Sequence, residues 1–367
     1  MIKVCHMTSA HNRYDVRIFE KECKSLAKNG YDVTLIVNDS NEGETIDNVK
    51  IVSTNFAPIS RKERMLKSGN KILEKAVQVD ADIYHFHDPE LLPIGNKLKR
   101  MGKKVIFDSH EDVPMQIMDK NWIPKRMRKI ISKLYRIYEE RSVRKYNAVI
   151  SVTPHLVERF RPINSNCAMV TNYPIINNKE ISRDPGKAIC FAGGISKQWS
   201  HNYIIKAIED IPKIEYILAG DGDKEYIDSL KSLPGWNKVN YLGKVPHNEV
   251  SYLYSKSIAG VALNFSSQAK EQGTLGNTKL FEYMEAGLPV ICSDYKLWKK
   301  IVEKYGCGLC VNPNNVNEIK DAIVFLLNNA DKSVKMGQNA RRAVVEKYNW
   351  NSQEAILFRL YENVNRI

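Results

Sequence analysis

The sequence predicts an α/β protein of two successive domains, each a parallel sheet with helices on both faces. Three observations predict it. Short apolar, β-branched runs alternate with amphipathic helical stretches along the whole chain, the pattern of repeated βαβ units. Polar clusters follow the carboxyl ends of several of these runs, where open parallel sheets bind ligands. The 367 residues exceed what one core ordinarily holds, and a polar break at Asn177 to Lys187, with Pro185 and Gly186, divides them.

Taken in order, Ile2 to Cys5 is a first strand. The polar loop His6 to Asp15 leads into a helix from Val16 to Asn29, capped by Gly30. Tyr31 to Val37 and Val49 to Val52 are strands, and Arg61 to Val77 is a basic amphipathic helix. Asp82 to Phe86 is a strand ending in His87-Asp88-Pro89-Glu90, with a helix from Leu91 to Met101 behind it. Lys104 to Phe107 ends in Asp108-Ser109-His110-Glu111-Asp112. One such cluster alone reads as a helix N-cap; two, both with histidine and carboxylates, point to a ligand site.

Trp122 to Tyr146 is the most basic stretch. Lys125, Arg126, Arg128, Lys129, Lys133, Arg136, Arg141, Arg144 and Lys145 interleave with Ile130, Ile131, Leu134, Tyr135, Ile137 and Tyr138. The plainer reading is a domain helix that packs its apolar face on the sheet and solvates its basic face. The other is a helix lying in an anionic membrane interface. Ala148 to Val152 is a further strand, and the first domain is expected to span residues 1–175.

The second domain is expected over 186–347. Its strands are Ala188 to Ala192, Tyr216 to Ala219, Val239 to Leu242, Ala259 to Leu263, Pro289 to Cys292 and Gly308 to Val311. Gly193-Gly194 follows the first of these and Gly220-Asp221-Gly222 the second. Residues 348–367 carry a last helix, expected to pack back on the first domain. Between the fourth and fifth strands, Asn277 to Glu285 is a short helix with Leu280, Tyr283 and Met284 on one face. Gly287 and Pro289 stop it. Local physics makes Lys279 and Glu282, three residues apart, an ordinary surface ion pair. The helix N-terminus beside Lys279 also suits a phosphate.

Composition narrows the function. With 43% hydrophobic and 26% charged residues the chain reads as globular, and no window approaches the roughly 20 apolar residues of a membrane span. Met1 to Cys5 reads directly as a strand rather than a signal peptide, so a cytoplasmic location is expected. A net charge of +13 calls for an anionic partner. No zinc-finger, basic-zipper or RNA-binding aromatic pattern accompanies it, so nucleic acid is not the expected one. The seven cysteines are scattered, and Cys307-Gly308-Leu309-Cys310 has no second pair or histidines at zinc spacing; no metal is expected. The first loop, Thr8 to Arg13, lacks GxGxxG, which argues against a nicotinamide or flavin cofactor.

Asp15-Val16-Arg17, His87-Asp88-Pro89-Glu90-Leu91-Leu92-Pro93, Asp108-Ser109-His110-Glu111, Asn172-Tyr173-Pro174, Phe191-Ala192-Gly193-Gly194, Leu218-Ala219-Gly220-Asp221-Gly222 and Lys279 to Val290 follow one another in an order spread over nearly the whole chain. Together they resemble the large retaining glycosyltransferase family 4, which has the GT-B fold of two Rossmann-like domains facing a deep cleft. The resemblance implies a nucleotide-sugar donor, UDP- or GDP-linked, held by the second domain. The acceptor is a saccharide, expected to be lipid-linked and to belong to cell-envelope or capsule polysaccharide synthesis. No metal is implied. Glu282 matches the second glutamate of the family's E-x7-E pattern and would accept from ribose hydroxyls. Lys279 and the helix N-terminus, with Asn277, Thr278 and Leu280, would hold the diphosphate. Gly193 and Gly194 let backbone approach phosphate, and Gly220 and Asp221 are placed near the base. His110 would contact the sugar or orient the acceptor. Asp15, Arg17, His87, Asp88 and Glu111 are candidate acceptor or cleft residues.

The sequence departs from the family at three positions. Thr274 stands where the first glutamate belongs, with Glu271 the nearest upstream acid, and Gly194 and Trp199 replace an expected arginine and lysine. The diphosphate grip is therefore expected from Lys279, Lys197 and amides, with Arg13 or Arg17 reaching across from the first domain. Contact with the inner membrane face is expected from the positive balance and the two basic segments, Arg61 to Val77 and Trp122 to Tyr146. Two rival readings share the architecture: a sugar-nucleotide epimerase, and a non-catalytic subunit that binds nucleotide or a partner.

Overall fold

The computed structural model describes residues 1–120, 122–177, 186–265 and 273–366, apart from the side chains of His247 and Asn248. Most of the Asn177 to Lys187 break lies outside these residues, as does Glu271. The chain divides into two compact units: Met1–Asn172 with Asn351–Ile367, and Tyr173–Trp350.

The first unit is built on an eight-stranded sheet. Its strands are β1 (Lys3–Met7), β2 (Asp32–Val37), β3 (Glu44–Ile46), β4 (Val49–Ser53), β5 (Ile83–Phe86), β6 (Lys104–Ser109), β7 (Ala148–Ser151) and β8 (Cys167–Met169). They are ordered β3-β4-β2-β1-β5-β6-β7-β8. Every pairing is parallel except β3 with β4, a hairpin turned by Asp47 and Asn48 at φ 50° and 63°. Neither β3 nor β8 was expected from the sequence, because each is only three residues long and carries little periodicity. The order in which the chain adds its strands switches side between β1 and β5. The loops that follow these two strands therefore diverge and leave a crevice at their carboxyl ends.

The second unit carries six parallel strands: β9 (Ala188–Ala192), β10 (Glu215–Ala219), β11 (Val239–Gly243), β12 (Ala259–Ala262), β13 (Val290–Ser293) and β14 (Gly308–Val311). Their order is β11-β10-β9-β12-β13-β14, so the switch falls between β9 and β12. Ile189, Phe191, Tyr216, Leu218, Val261 and Ile291 from the strands close a core with Ile204, Ile208, Ile319 and Ile323 from the helices. Cys310 faces Cys292 at 3.7 Å as its register neighbour, while Cys307, its partner in the CxxC spacing, lies before β14. All seven thiols are free.

The last helix, Trp350–Arg366, contributes its residues from Asn351 onward to the first unit. Tyr361 is fully buried there, and its hydroxyl meets Nδ1 of His85 at 2.8 Å and Nε2 of His6 at 3.1 Å. Lys104 donates to the Asn365 carbonyl at 2.8 Å.

The basic Lys125–Val143 helix departs from the plainer sequence reading. Its apolar residues do not share one buried face. Ile131, Tyr135 and Val143 turn inward, whereas Met127, Ile130, Leu134, Ile137 and Tyr138 are 36–62% exposed. Arg128 turns inward as well, donating to the Ile123 and Met118 carbonyls at 2.7 and 3.1 Å. Glu139 occupies the buried face with its ion-pair partner Arg159. Among the described residues no helix is long and apolar enough to cross a membrane.

Candidate functional site

In the second unit the candidate residues converge on the loops after β9 and β10 and on the Thr278–Glu285 helix. The two glycine loops run against each other as backbone. The Gly193 amide donates to Ala219 O at 2.9 Å, and the Ile195 amide donates to Asp221 O at 2.8 Å. A Cβ on Gly220, whose φ is +139°, would lie 1.8 Å from Gly193 O, so only glycine admits this approach. Gly194 has open space above it, and a Cβ on Gly193 would sit 2.8 Å from Cε of Lys279. Lys279 thus crosses directly over the glycine turn.

Asn277 caps the helix, accepting the Lys279 amide at 3.0 Å. Lys279 Nζ meets Glu282 Oε2 at 2.7 Å, with the Tyr254 hydroxyl 3.4 Å from the same oxygen. The sequence reading assigned these two groups to phosphate and ribose rather than to each other. In the structure they satisfy each other, because the i,i+3 spacing holds the ammonium over the carboxylate. Both stay partly accessible, with side chains 19% and 31% exposed. Lys197 and Asp221 are exposed at the ends of their loops, and Asp221 binds the Gly222 amide. Leu280 is completely buried, so its side chain serves the core and only its backbone faces the turn. Thr274 accepts the Gly276 amide through its hydroxyl at 3.1 Å and the Trp298 indole through its carbonyl at 2.7 Å, a loop-shaping role.

In the first unit the crevice between the β1 and β5 loops contains a cavity of about 530 Å³. It collects His87, Asp88, His110 and Glu111, four of the sequence candidates, together with His11, Arg61, Arg64, Glu90 and Lys120. A second cavity of about 720 Å³ shares His11, Arg61 and Arg64 with it and extends over Ser9 to Arg13 and Asn38 to Asn41. The sequence reading missed His11, Arg64, Glu90 and Lys120 as site residues. Only His11 and Glu90 had a legible signal, since each sits in a loop at a strand's carboxyl end.

The structure separates the residues that can touch a ligand from those that build its walls. Asp88 is buried and takes the Thr8 hydroxyl and the Ser9 amide at 2.8 and 2.6 Å. It pins the β1 loop. Asp15 is the N-cap of the next helix, accepting the Arg17 and Ile18 amides. Arg17 is buried in a fork on Asp108 at 2.9 and 3.0 Å, with Glu22 at 3.1 Å and the Val170 carbonyl at 2.9 Å. Arg13 is held by Asp39 at 2.8 and 2.9 Å and by Glu44. The expectation that Arg13 or Arg17 would reach out to a diphosphate is therefore overturned. Both guanidiniums are committed inside the first unit, where an unpaired acid would be costly. His110, with 18% of its side chain exposed, opens on the cavity, as does His11 at 32%. Its Nε2 rests 2.8 Å from Asp108 Oδ2, and this bond fixes the ring orientation.

A polar chain backs this wall. Tyr361 links His85 and His6, His6 Nδ1 meets His87 Nε2 at 3.0 Å, and His87 Nδ1 meets Asp108 at 3.2 Å. Burial would raise Asp108, but Arg17 and His110 outweigh it and hold the carboxyl well below its usual range. Burial, reinforced by Asp108 against the pull of Arg17, holds Glu22 well above that range. Burial lowers His6 and His85 well below the ordinary imidazole value and His87 to about 4, so all three are neutral near pH 7. Their folded pKa values lie below 6.5, so their share of stability is complete above that pH and is lost as pH falls toward 4. Glu139, raised to about 7 by burial, runs the opposite way, as do Glu22 and His11, whose values are also raised. The histidines' share is read as a difference: between pH 6.5 and pH 4, urea unfolding should show wild type losing more stability than a His87→Gln variant.

Among the described residues two groups bring metal-ligand types together: His6, Glu22, His85 and His87, and His87, Asp108 and His110. Both are already cross-linked. Asp108 accepts from Arg17 and both of its histidines, and Tyr361 bridges two imidazoles of the first group.

Residues 17–171 match the profile described as Glycosyltransferase Family 4, and residues 173–343 match that of Glycosyl transferases group 1. The chain is 28% identical over 182 residues to an uncharacterised glycosyltransferase of Methanocaldococcus jannaschii, a match covering 48% of this chain and 45% of that one. It is 22% identical over 189 residues to the alpha-D-kanosaminyltransferase of Streptomyces kanamyceticus, covering 49% and 47%. The chain thus spans about half the length of the curated relatives it matches. Over its full length it superposes on sucrose-phosphate synthase from Thermosynechococcus elongatus, with TM-score 0.77, 16% identity and 100% of each chain covered. It also superposes on Anabaena HepE in complex with UDP and glucose, with TM-score 0.71, 13% identity and 100% of each chain covered. The two profiles meet at the boundary between the two units and together take in residues 17–343, so the chain belongs to glycosyltransferase family 4 and has the two-Rossmann-unit GT-B fold.

Proposed function

We propose that the protein transfers a sugar from a nucleotide-sugar donor, UDP- or GDP-linked, to a saccharide acceptor, with retention of anomeric configuration. The observation that carries this reading is Lys279 lying over the Gly193 turn with Glu282 one helical turn on. An ammonium, first-turn amides and bare backbone meet at one point, which is what a diphosphate requires. An acceptor-only carboxylate beside them suits ribose hydroxyls. Donor binding exchanges the Lys279–Glu282 contact for these two partners.

Cleaving the sugar–phosphate bond builds negative charge on the diphosphate and positive charge on the sugar ring. Lys279 and the helix amides stabilise the leaving group most strongly when that charge is fully developed, so they act on turnover. In the retaining course proposed here the acceptor hydroxyl attacks from the leaving-group face, and the departing phosphate takes its proton. The acceptor is assigned to the first unit's crevice, where His110 and Glu111 offer polar contacts beside Ile123, Ile131 and Tyr135. That mixed lining suits a saccharide carried on a lipid phosphate, of the kind used in envelope polysaccharide synthesis.

A thermal-shift panel of UDP, GDP and ADP sugars tests the donor. The true donor at a hundred times its Kd should add about 2.7 kcal/mol of stability, and the others far less. No shift from any of them would remove the reading.

A further inference from the structure

Among the described residues no element packs over the outward face of the Lys125–Val143 helix, where only the Tyr138 hydroxyl has a contact, from Asn96 at 3.4 Å. Met127, Ile130, Leu134, Ile137 and Tyr138 are 52%, 61%, 62%, 36% and 41% exposed. They fall at i, i+3, i+7, i+10 and i+11, which is one continuous stripe on a helix. Beside the stripe stand exposed Lys125, Arg126, Lys129, Lys133, Arg141 and Arg144. The helix has two acids. Glu139 is buried against Arg159, and Glu140 is paired with Arg136, so the outward charge is almost wholly positive. Single exposed apolar residues are ordinary, but a five-residue stripe running alongside a basic one is not.

The same chemistry continues around the neighbouring cavity. Trp122, just ahead of the helix, is 74% exposed and Met65 is 57% exposed, and both line the crevice that holds His110. Arg61, Arg64 and Lys120 share that lining. The helix itself is a wall of the cavity, presenting Ile131 and Tyr135 to it while the exposed stripe faces away.

We propose that this face docks on an anionic lipid bilayer, with the stripe in the acyl–headgroup boundary and the lysines and arginines on the headgroup phosphates. Two properties select a bilayer over other anionic partners. Nucleic acid would engage the cations but give five apolar side chains nowhere to go. A bilayer interface offers both layers at the depth an amphipathic helix occupies. Tryptophan and arginine at the rim of the crevice suit the same boundary. The proposal deepens the acceptor assignment above and rests on it only for the purpose of docking, not for its occurrence.

Flotation of the full chain tests it, with vesicles of phosphatidylcholine alone and vesicles in which phosphatidylglycerol replaces part of the lipid. The protein should float with the second and not the first. An Ile130→Asp and Leu134→Asp double variant should lose flotation, and so should a variant with Lys125, Arg126, Lys129 and Lys133 all changed to Gln. The loss in partitioning should be on the order of a thousandfold in the charge variant. Unchanged thermal unfolding and an unchanged nucleotide-sugar shift in both variants show that the fold and the second unit are intact. Wild-type protein that stays with neither vesicle, or variants that float as well as wild type, would overturn the proposal. So would a concentration-dependent dimer abolished by Ile130→Asp, which would give the stripe to a second copy. Failed flotation with a preserved nucleotide-sugar shift sinks docking alone; the converse sinks the donor reading alone.

Discussion

Lys279→Ala is expected to lower kcat for sugar transfer roughly a hundred- to a thousandfold, the usual cost of removing one preorganised donor from a developing anion. The melting temperature should barely move. Among the described residues the side chain's only strong bond is the partly exposed pair with Glu282, and such i,i+3 pairs contribute only about 0.2–0.5 kcal/mol to a helix. Glu282→Gln should behave differently. Its carboxylate is assigned to ribose, which is bound equally before and during bond cleavage, so its loss should raise KM more than it lowers kcat. Steady-state kinetics on the donor found by thermal shift, with calorimetry on each variant, checks both. An alanine variant with wild-type kcat would take Lys279 out of the chemistry.

Arg17→Met is expected to have the largest effect on stability. The guanidinium is buried between Asp108, Glu22 and a carbonyl, and Asp108 also receives His87 and His110. Methionine fills much of the volume but leaves an ionised carboxylate without its counter-charge in the interior. Breaking a buried pair in this way costs about 3–5 kcal/mol, a large part of what a domain ordinarily has. Denaturant unfolding should show the first unit lost at lower concentration, with the second unit's transition in place. Arg17→Met combined with Asp108→Asn removes the stranded charge and should recover part of the loss. Failure to recover it would mean that the packing of Arg17, rather than its charge, sets the cost.

The polar clusters behave in two ways that residue type does not distinguish. His110 and Glu111 open on the crevice, whereas His87, Asp88 and Asp15, equally polar and equally placed at strand ends, are spent on holding loops. A carboxylate in sequence shows only that it can accept hydrogen bonds. Whether a ligand or the protein's own amides supply them depends on where the next loop comes to rest. The basic helix shows the same limit. Its apolar residues were legible, but their division between an inward set at Ile131 and Tyr135 and an outward set at Ile130 and Leu134 depends on which neighbour packs against it.

The sequence by itself determined the repeated βαβ pattern and the strand-end loops that flank both switch points of the sheets. It also placed Gly193-Gly194 just after one strand and Lys279 at the start of a later helix. All of these rest on spacing along the chain: a strand alternates, a helix repeats every 3.6 residues, and a parallel sheet puts its loops at one edge. Only the tertiary structure decided that Arg13 and Arg17 are inward-facing, that Tyr361 from the last helix joins the histidine chain behind His110, and that the basic helix leaves an apolar stripe uncovered. Each of these turns on contacts between residues far apart in sequence, and burial, which no local pattern records, fixes which polar groups remain to meet a ligand.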